Sequence, residues 1–216
     1  TFSILARQGS RLSQLRLRRG ASRLNDDQLA ELQQNHGLVS ATANPDADLN
    51  QNSDFLASIN DGIGLSVNLH ADGPDGIIGW RARKYAGLID IDKAASHPIS
   101  RFWEAVRTDD LTGGGLVLNP DEFYILASRE FVCVPSCYAA EMRAYDTRVG
   151  EFRAHYAGFF DPGFGISEIG AAPTRAVLEV RSHDVPFLID HGQIVCRLVY
   201  EPMADVPEAL YGAQGS

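Results

Sequence analysis

Residues 4–17, ILARQGSRLSQLRL, and residues 187–200, FLIDHGQIVCRLVY, repeat one pattern about Gly9 and Gly192. Three apolar residues and a polar pair lead to the glycine, and an alternating stretch then ends in Gln14-Leu15 or Arg197-Leu198. Each segment reads as strand, tight turn, strand. Two unrelated hairpins would also give one such match, but the offset of 183 residues is the length of a domain. The chain therefore divides into the last hairpin of one copy, residues 1–19, and a second copy over residues 20–203, joined through RRGASRLN. Residues 204–216 begin a tail.

Within the second copy, Asn25 followed by DDQLAELQQNHG predicts a helix with a side-chain cap, acids in its first turn and Gly37 as its stop. Asn, Asp, Ala and Ser dominate residues 40–60, a loop composition. Ile63, Leu65, Val67 and Leu69 alternate with small or polar residues, predicting a strand with one buried face. Further strands are predicted over 76–80, 84–91, 116–118, 123–128, 131–134, 152–160, 176–180 and 187–200. Short helices are predicted around Phe102 and Trp103 within 98–106, and from Pro135-Ser136 through Met142. Asn119-Pro120-Asp121 and Asp161-Pro162-Gly163 are turns, with proline presetting one dihedral and, in the second, glycine supplying a positive one. Many short strands with little helix favour a closed or sandwich-like β architecture over alternating α/β units.

Charge narrows the partners. The 216 residues carry a net charge of −9, yet the first 24 hold six arginines and no acid, leaving 13 basic and 28 acidic residues for the rest. A body that acidic does not bind nucleic acid broadly, and Arg16, Arg18, Arg19 and Arg23 read as a solvated strand and linker. Three cysteines, Cys133, Cys137 and Cys196, argue against a disulfide framework and for a reducing, cytoplasmic setting. No apolar run approaches a membrane span, and TFSILARQGSRL lacks the apolar core of a secretion signal.

LNPDEFYILASREFVCVP at residues 118–135, FFDPGF at 159–164, AVLEV at 176–180 and the Gly192 hairpin occur in an order and spacing that resemble the dCTP deaminase branch of the dUTPase superfamily. The likeness covers most of residues 62–203, and the two-copy layout resembles the double-length bacterial 2'-deoxycytidine 5'-triphosphate deaminases, of which this would be the second half. The resemblance implies a mainly β fold: a distorted, jelly-roll-type antiparallel β barrel with a few short helices, assembled as a homotrimer with nucleotide pockets at subunit boundaries. It also implies a hydrolase of pyrimidine deoxynucleotide metabolism that converts dCTP and water to dUTP and ammonia. Mg2+ accompanies the triphosphate and no zinc takes part. The residues agree on zinc, since a zinc nucleobase deaminase uses H-x-E and P-C-x-x-C. Here no H-x-E exists, and Cys133 and Cys137 are spaced C-x-x-x-C, as buried structural thiols.

The family's proton shuttle is a glutamate on the strand after the D-P-G turn, and Glu179 in Leu178-Glu179-Val180 fills that place. Alternation alone puts Glu179 outward; the resemblance turns it toward a pocket. A family pattern R-S-S-x-x-R, whose side chains touch base, water and phosphates, corresponds to residues 144–150. There Asp146 and Thr147 stand where the serines would be and Gly150 falls near the second arginine, with Arg148 or Arg153 as substitute cations. That departure implies a pocket that has lost part of its machinery. Ala157 takes the position whose backbone carbonyl faces water, and Phe160 that of an apolar residue near sugar or base. Asp161 either joins the pocket or only caps its turn. The six histidines, His36, His70, His97, His155, His183 and His191, share no metal spacing, and only His155 lies on a strand leading to the pocket.

Two other readings compete. In one, this half is catalytically degenerate and serves to build the trimer or bind nucleotide. In the other, water attacks phosphorus, as in a dUTPase; that chemistry needs a phosphate cradle, and GIGLSVNL and TGGG lack the Lys and Ser/Thr of a P-loop.

Overall fold

The computed structural model describes residues 3–10, 15–43, 57–93, 95–144, 152–154, 158–166, 172–182 and 184–213. Helix α1 (Asp26–His36) forms where local rules put it. Asn25 Oδ1 accepts from the Gln28 N–H at 2.9 Å, the Gln28 side chain accepts from the Asn25 N–H at 3.0 Å, and Gly37 stops the helix at φ +61°. Its buried Leu29 and Leu32 join a core that is otherwise made by strands.

Those strands are β1 (Ser3–Leu5), β2 (Val39–Ser40), β3 (Ile63–Asn68), β4 (Ile77–Ala82), β5 (Leu88–Asp90), β6 (Trp103–Arg107), β7 (Gly115–Leu118), β8 (Phe123–Val132), β9 (Tyr138–Ala144), β10 (Phe152–Ala154), β11 (Phe159–Phe160), β12 (Thr174–Ser182), β13 (Phe187–Asp190) and β14 (Ile194–Pro202). One antiparallel sheet runs β10-β12-β8-β3-β14-β9-β11, with β2 and β4 also on β8 and β6 on β4. It curls into a half-barrel, so the mainly β reading holds. Leu65, Val67, Leu126, Leu178, Val180 and Leu198 fill its concave side. No helix among the described residues is long and apolar enough to cross a membrane.

Several predicted elements are corrected. β3 is buried at every position, and Ser66 on its predicted polar face is satisfied by buried Glu130: the Ser66 hydroxyl donates to Oε1 at 2.6 Å and its N–H to Oε2 at 2.8 Å. The strands predicted at 123–128 and 131–134 are one strand, β8. Only Ile99–Phe102 of 98–106 is helical (α2), and Trp103 to Arg107 pair with β4. The helix predicted from Pro135 through Met142 does not form. The Tyr138 N–H closes a turn onto the Pro135 carbonyl at 2.9 Å and the chain continues as β9, claimed on both edges by β14 and β11. Two ladders outweigh the helical preference of Ala139 and Ala140, which is worth only about half a kcal/mol per residue. Cys137 lies in that turn and is exposed and Cys133 is half-buried, so neither is the buried thiol expected; the buried cysteine is Cys196.

Arg18, Arg19 and Arg23 of the basic end are exposed as expected, but the segment is tied to the body and Arg16 is not solvated. The Arg18 guanidinium meets Glu201 Oε2 at 2.8 Å and also Glu141, Arg23 lies 3.7 Å from both carboxylates, and the Leu24 N–H donates to the Tyr200 carbonyl at 3.0 Å. Arg16 is 16% exposed. Further back, β1 pairs in parallel with β5, whereas β13 pairs antiparallel with β7. Gly9 and Gly192 both turn at positive φ, +91° and +79°. Residues 11–14, needed to compare the two hairpins fully, lie outside the described residues.

Candidate functional site

β12 sorts its side chains by alternation. Ala176, Leu178 and Val180 are buried in the half-barrel, while Arg175, Val177 and Glu179 share the other face. Val177 is 59% exposed; Glu179 and Arg175 are half-buried. Arg175 is held in place from several sides. Its guanidinium grips Asp72 with two bonds of 2.8 and 2.9 Å, lies 4.4 Å above the Phe131 ring and donates to the Ser128 carbonyl at 3.0 Å. The Ser128 carbonyl is available because β8 carries an irregularity opposite Arg175 and Val177, where the Ser128 hydroxyl instead accepts from the Ala176 N–H at 2.8 Å.

Facing β12 is β11, a two-residue edge strand on β9, followed by the Asp161-Pro162-Gly163 turn. The turn is sewn to the sheet: the Phe164 N–H donates to Asp161 at 3.1 Å, the Gly163 N–H to Val134 at 3.0 Å and the Val134 N–H to Phe164 at 2.8 Å. Phe160 is buried, edge-on to Phe164 at 5.0 Å. The tail covers the turn, with the Tyr211 N–H donating to Pro162 at 2.9 Å and its ring 5.4 Å from Phe164.

Between these elements lies a cleft of about 300 Å³ lined by Gly158, Phe159, Phe160, Asp161, Phe164, Thr174, Arg175, Val177, Glu179 and Tyr211. That is within the size range of small-molecule sites. Aromatic walls, two carboxylates, a hydroxyl and one guanidinium together suit a planar ligand with a polar edge and an anionic substituent. Among the described residues, no three His, Cys, Asp or Glu side chains gather as a metal site.

Of the residues named from sequence, Glu179, Phe160 and Asp161 converge on this cleft. Asp146, Thr147, Arg148, Ala157 and His155 lie outside the described residues; of Arg153 only the backbone is described, in β10 opposite Arg181. Alternation is right about the face of Glu179, but that face is a cleft wall rather than open surface. The Asp161 backbone carbonyl closes the turn, a bond that any residue there would make, and Asp161 lines the cleft, with its carboxylate 3.4 Å from Arg16. Sequence reasoning missed Thr174, Arg175 and Tyr211. The signal for Arg175 was present, since it stands two and four residues before Val177 and Glu179 on the same face. Tyr211 lies in the tail, and the fold of the tail carries it back to the turn. Outside the cleft, His70 and His191 stack at 3.8 Å, with His191 Nδ1 accepting from the Leu69 N–H at 3.1 Å.

Comparison with known proteins gives concordant matches. The family model of the 2'-deoxycytidine 5'-triphosphate deaminase C-terminal domain matches residues 25–216. A curated "dCTP deaminase, dUMP-forming" of Methanobrevibacter smithii is 31% identical over 130 residues, 56% of this chain and 59% of the relative. The crystal structure of the 2'-deoxycytidine 5'-triphosphate deaminase of Agrobacterium tumefaciens aligns with TM-score 0.72 and 46% identity, covering 88% of this chain and 50% of that one. The chain thus spans about half the length of the proteins it matches.

Proposed function

The chain belongs to the family of the 2'-deoxycytidine 5'-triphosphate deaminase C-terminal domain, and from that membership we propose that it is the second half of a two-copy dCTP deaminase whose cleft takes a cytosine deoxynucleotide. The observation that carries the reading is the convergence of Glu179 with Phe160 and Asp161 on one cleft. The reaction adds water to the cytosine carbon bearing the amino group. Glu179 takes a proton from the water as the oxygen attacks and passes it to the adjacent ring nitrogen, then carries the remaining hydroxyl proton to the departing amine, leaving a carbonyl and ammonia. In this reading Phe160 and the neighbouring rings bound the base and sugar, and Arg175 lines the same cleft while paired with Asp72. The family resemblance assigns nucleotide binding to Asp146, Thr147, Arg148 and Ala157 as well. Magnesium enters coordinated to the triphosphate, as part of the substrate.

The product is dUTP, or dUMP and pyrophosphate if water then cleaves the anhydride between the α and β phosphates, as the name of the Methanobrevibacter relative implies for that protein. Exposed Val177, Val185 and Leu188 support assembly of the cytoplasmic protein into a trimer, where a neighbour covers them. The departure of residues 144–150 from R-S-S-x-x-R favours a second reading, in which this half binds nucleotide or builds the trimer while the other half turns substrate over.

Glu179→Gln in the full-length protein separates the two. The amide keeps shape and hydrogen bonding but cannot accept the proton, so ammonia release from Mg-dCTP is expected to fall by about 100- to 10,000-fold with binding retained. Unchanged turnover would place catalysis in the other half. Analysis of the nucleotide product distinguishes dUTP from dUMP.

A further inference from the structure

Arg16 precedes the domain, yet its side chain ends against the cleft wall. Its Cζ lies 4.2 Å from the centre of the Phe159 ring. Its Nη1 donates to the Ala140 carbonyl at 3.3 Å, and Nη2 reaches the Phe160 carbonyl at 3.5 Å and Asp161 Oδ1 at 3.4 Å. The chain on either side is open, with Leu15 85% and Leu17 91% exposed against 16% for the Arg16 side chain. An extended segment has thus turned its arginines to the body, Arg16 onto β11 and Arg18 onto Glu201, and its leucines away. Removing a guanidinium from water is costly unless several partners compensate. Here an aromatic face, two carbonyls and a carboxylate do so together.

What Arg16 touches is a short wall of the cleft. β11 has two residues and, among the described residues, pairs with β9 alone, so ladder bonding fixes it from one side. Arg16 supplies contacts across its exposed side, and its partners Phe159 and Asp161 are both cleft-lining residues.

We propose that Arg16 is a positioning residue of the cleft: it holds the Phe159 ring and the Asp161 carboxylate in the geometry that receives the nucleotide, so that the segment preceding the domain completes the domain's own pocket. The proposal rests on the nucleotide reading above. A ground-state positioning role acts on binding more than on the chemical step.

The test uses the full chain with Arg16→Gln, Arg16→Lys, Asp161→Asn and the Arg16→Gln/Asp161→Asn pair. Mg-dCTP is the probe, with KM and kcat from ammonia release, Kd from calorimetry and amide exchange over residues 158–164. Arg16→Gln is expected to raise KM and Kd about tenfold, the scale of one hydrogen bond to a charged group, with kcat changed much less. Arg16→Lys should recover part of that loss, since it keeps the charge without the planar fork, and it also serves if Arg16→Gln fails to fold. In the Asp161→Asn background the same Arg16→Gln change should cost less, because the two act through one contact. KM and Kd within twofold of wild type, or strictly additive effects, overturn the proposal. If the wild type neither binds nor converts dCTP, the deaminase reading fails and amide exchange decides separately. Faster exchange at 159–161 in Arg16→Gln then supports positioning of the wall, and unchanged exchange overturns it.

Discussion

Two segments outside the sheet reach the same wall from opposite ends of the chain, and different forces hold them. Residues 15–24 are held mainly by charge: Arg16 on Asp161, Arg18 and Arg23 on Glu141 and Glu201. Residues 203–213 are held by shape and backbone, through the Met203 N–H on Cys137 at 2.8 Å, the Tyr211 N–H on Pro162 at 2.9 Å and the Tyr211 ring against Phe164. The contrast follows from composition, since an acidic body attracts a basic segment, whereas a tail with Leu210 and Tyr211 needs a surface that fits. The first attachment should therefore yield to lost charges, and the second to a single misplaced methyl group.

Gly163→Ala is the strongest way to break the second attachment. Gly163 sits at φ +95°, and a Cβ there would lie 2.7 Å from the Cβ of Leu210. Backbone strain and overpacking add, for an expected loss of about 3 kcal/mol. Urea titration should register the loss, and proteolysis should cut the tail sooner while residues 15–24 stay protected. A loss below about 1 kcal/mol would mean that the tail has another seat.

The first attachment should fail more gently. Glu201 is only 9% exposed on its side chain, and its Oε1 has no hydrogen-bond partner even with the arginines present. Arg18→Met would leave this carboxylate without its 2.8 Å partner, an expected cost of about 2 kcal/mol. Adding Glu201→Leu should return most of that stability, because an unpaired buried charge is worse than none. If the double variant is no more stable than Arg18→Met, charge is not what seats the segment.

These attachments also mark what the sequence disclosed and what it withheld. Helix α1 was legible because all its determinants are local: Asn25, Gln28 and Gly37 lie within a turn of its ends. Resemblance to a family pattern picked out Glu179, Phe160 and Asp161, which the fold brings to one cleft, and alternation gave the face of Glu179. β9 was misread because Pro135-Ser136 and two alanines speak locally for a helix, while the strands that overrule them come 18 to 64 residues later in sequence. Arg16 was misread for the same reason on a larger scale, since its Asp161 partner is 145 residues away. Whatever is fixed by a partner of that separation cannot be read from a window of residues.

Acid offers the gentlest probe of the charge-held side. Beyond residue 15 the chain begins with β1 on β5, secured by Arg7, whose Nη1 and Nη2 bind Asp90 at 2.5 and 2.8 Å and whose Nη1 also reaches Asp92 at 2.9 Å. The hydrogen bonds from Arg7 hold the Asp90 carboxyl well below the usual carboxylate range, against the desolvation that would raise it. A carboxylate depressed in the folded state stabilises the fold above its unfolded pKa of about 3.9 and loses that contribution as pH falls through its lower folded value. The β1–β5 pair should accordingly keep full protection at neutral pH and lose it progressively below about pH 4. The Tyr211 contact, which involves no carboxylate in its backbone bond or ring packing, should hold over the same interval. Amide exchange, corrected for the intrinsic pH dependence, reads both regions in one sample, and Asp90→Asn should remove the acid dependence of β1 by weakening the pair at every pH. Equal loss of protection at β1 and at the tail on acidification would show that the two ends open together, and the division between a charge-held and a shape-held segment would then fail.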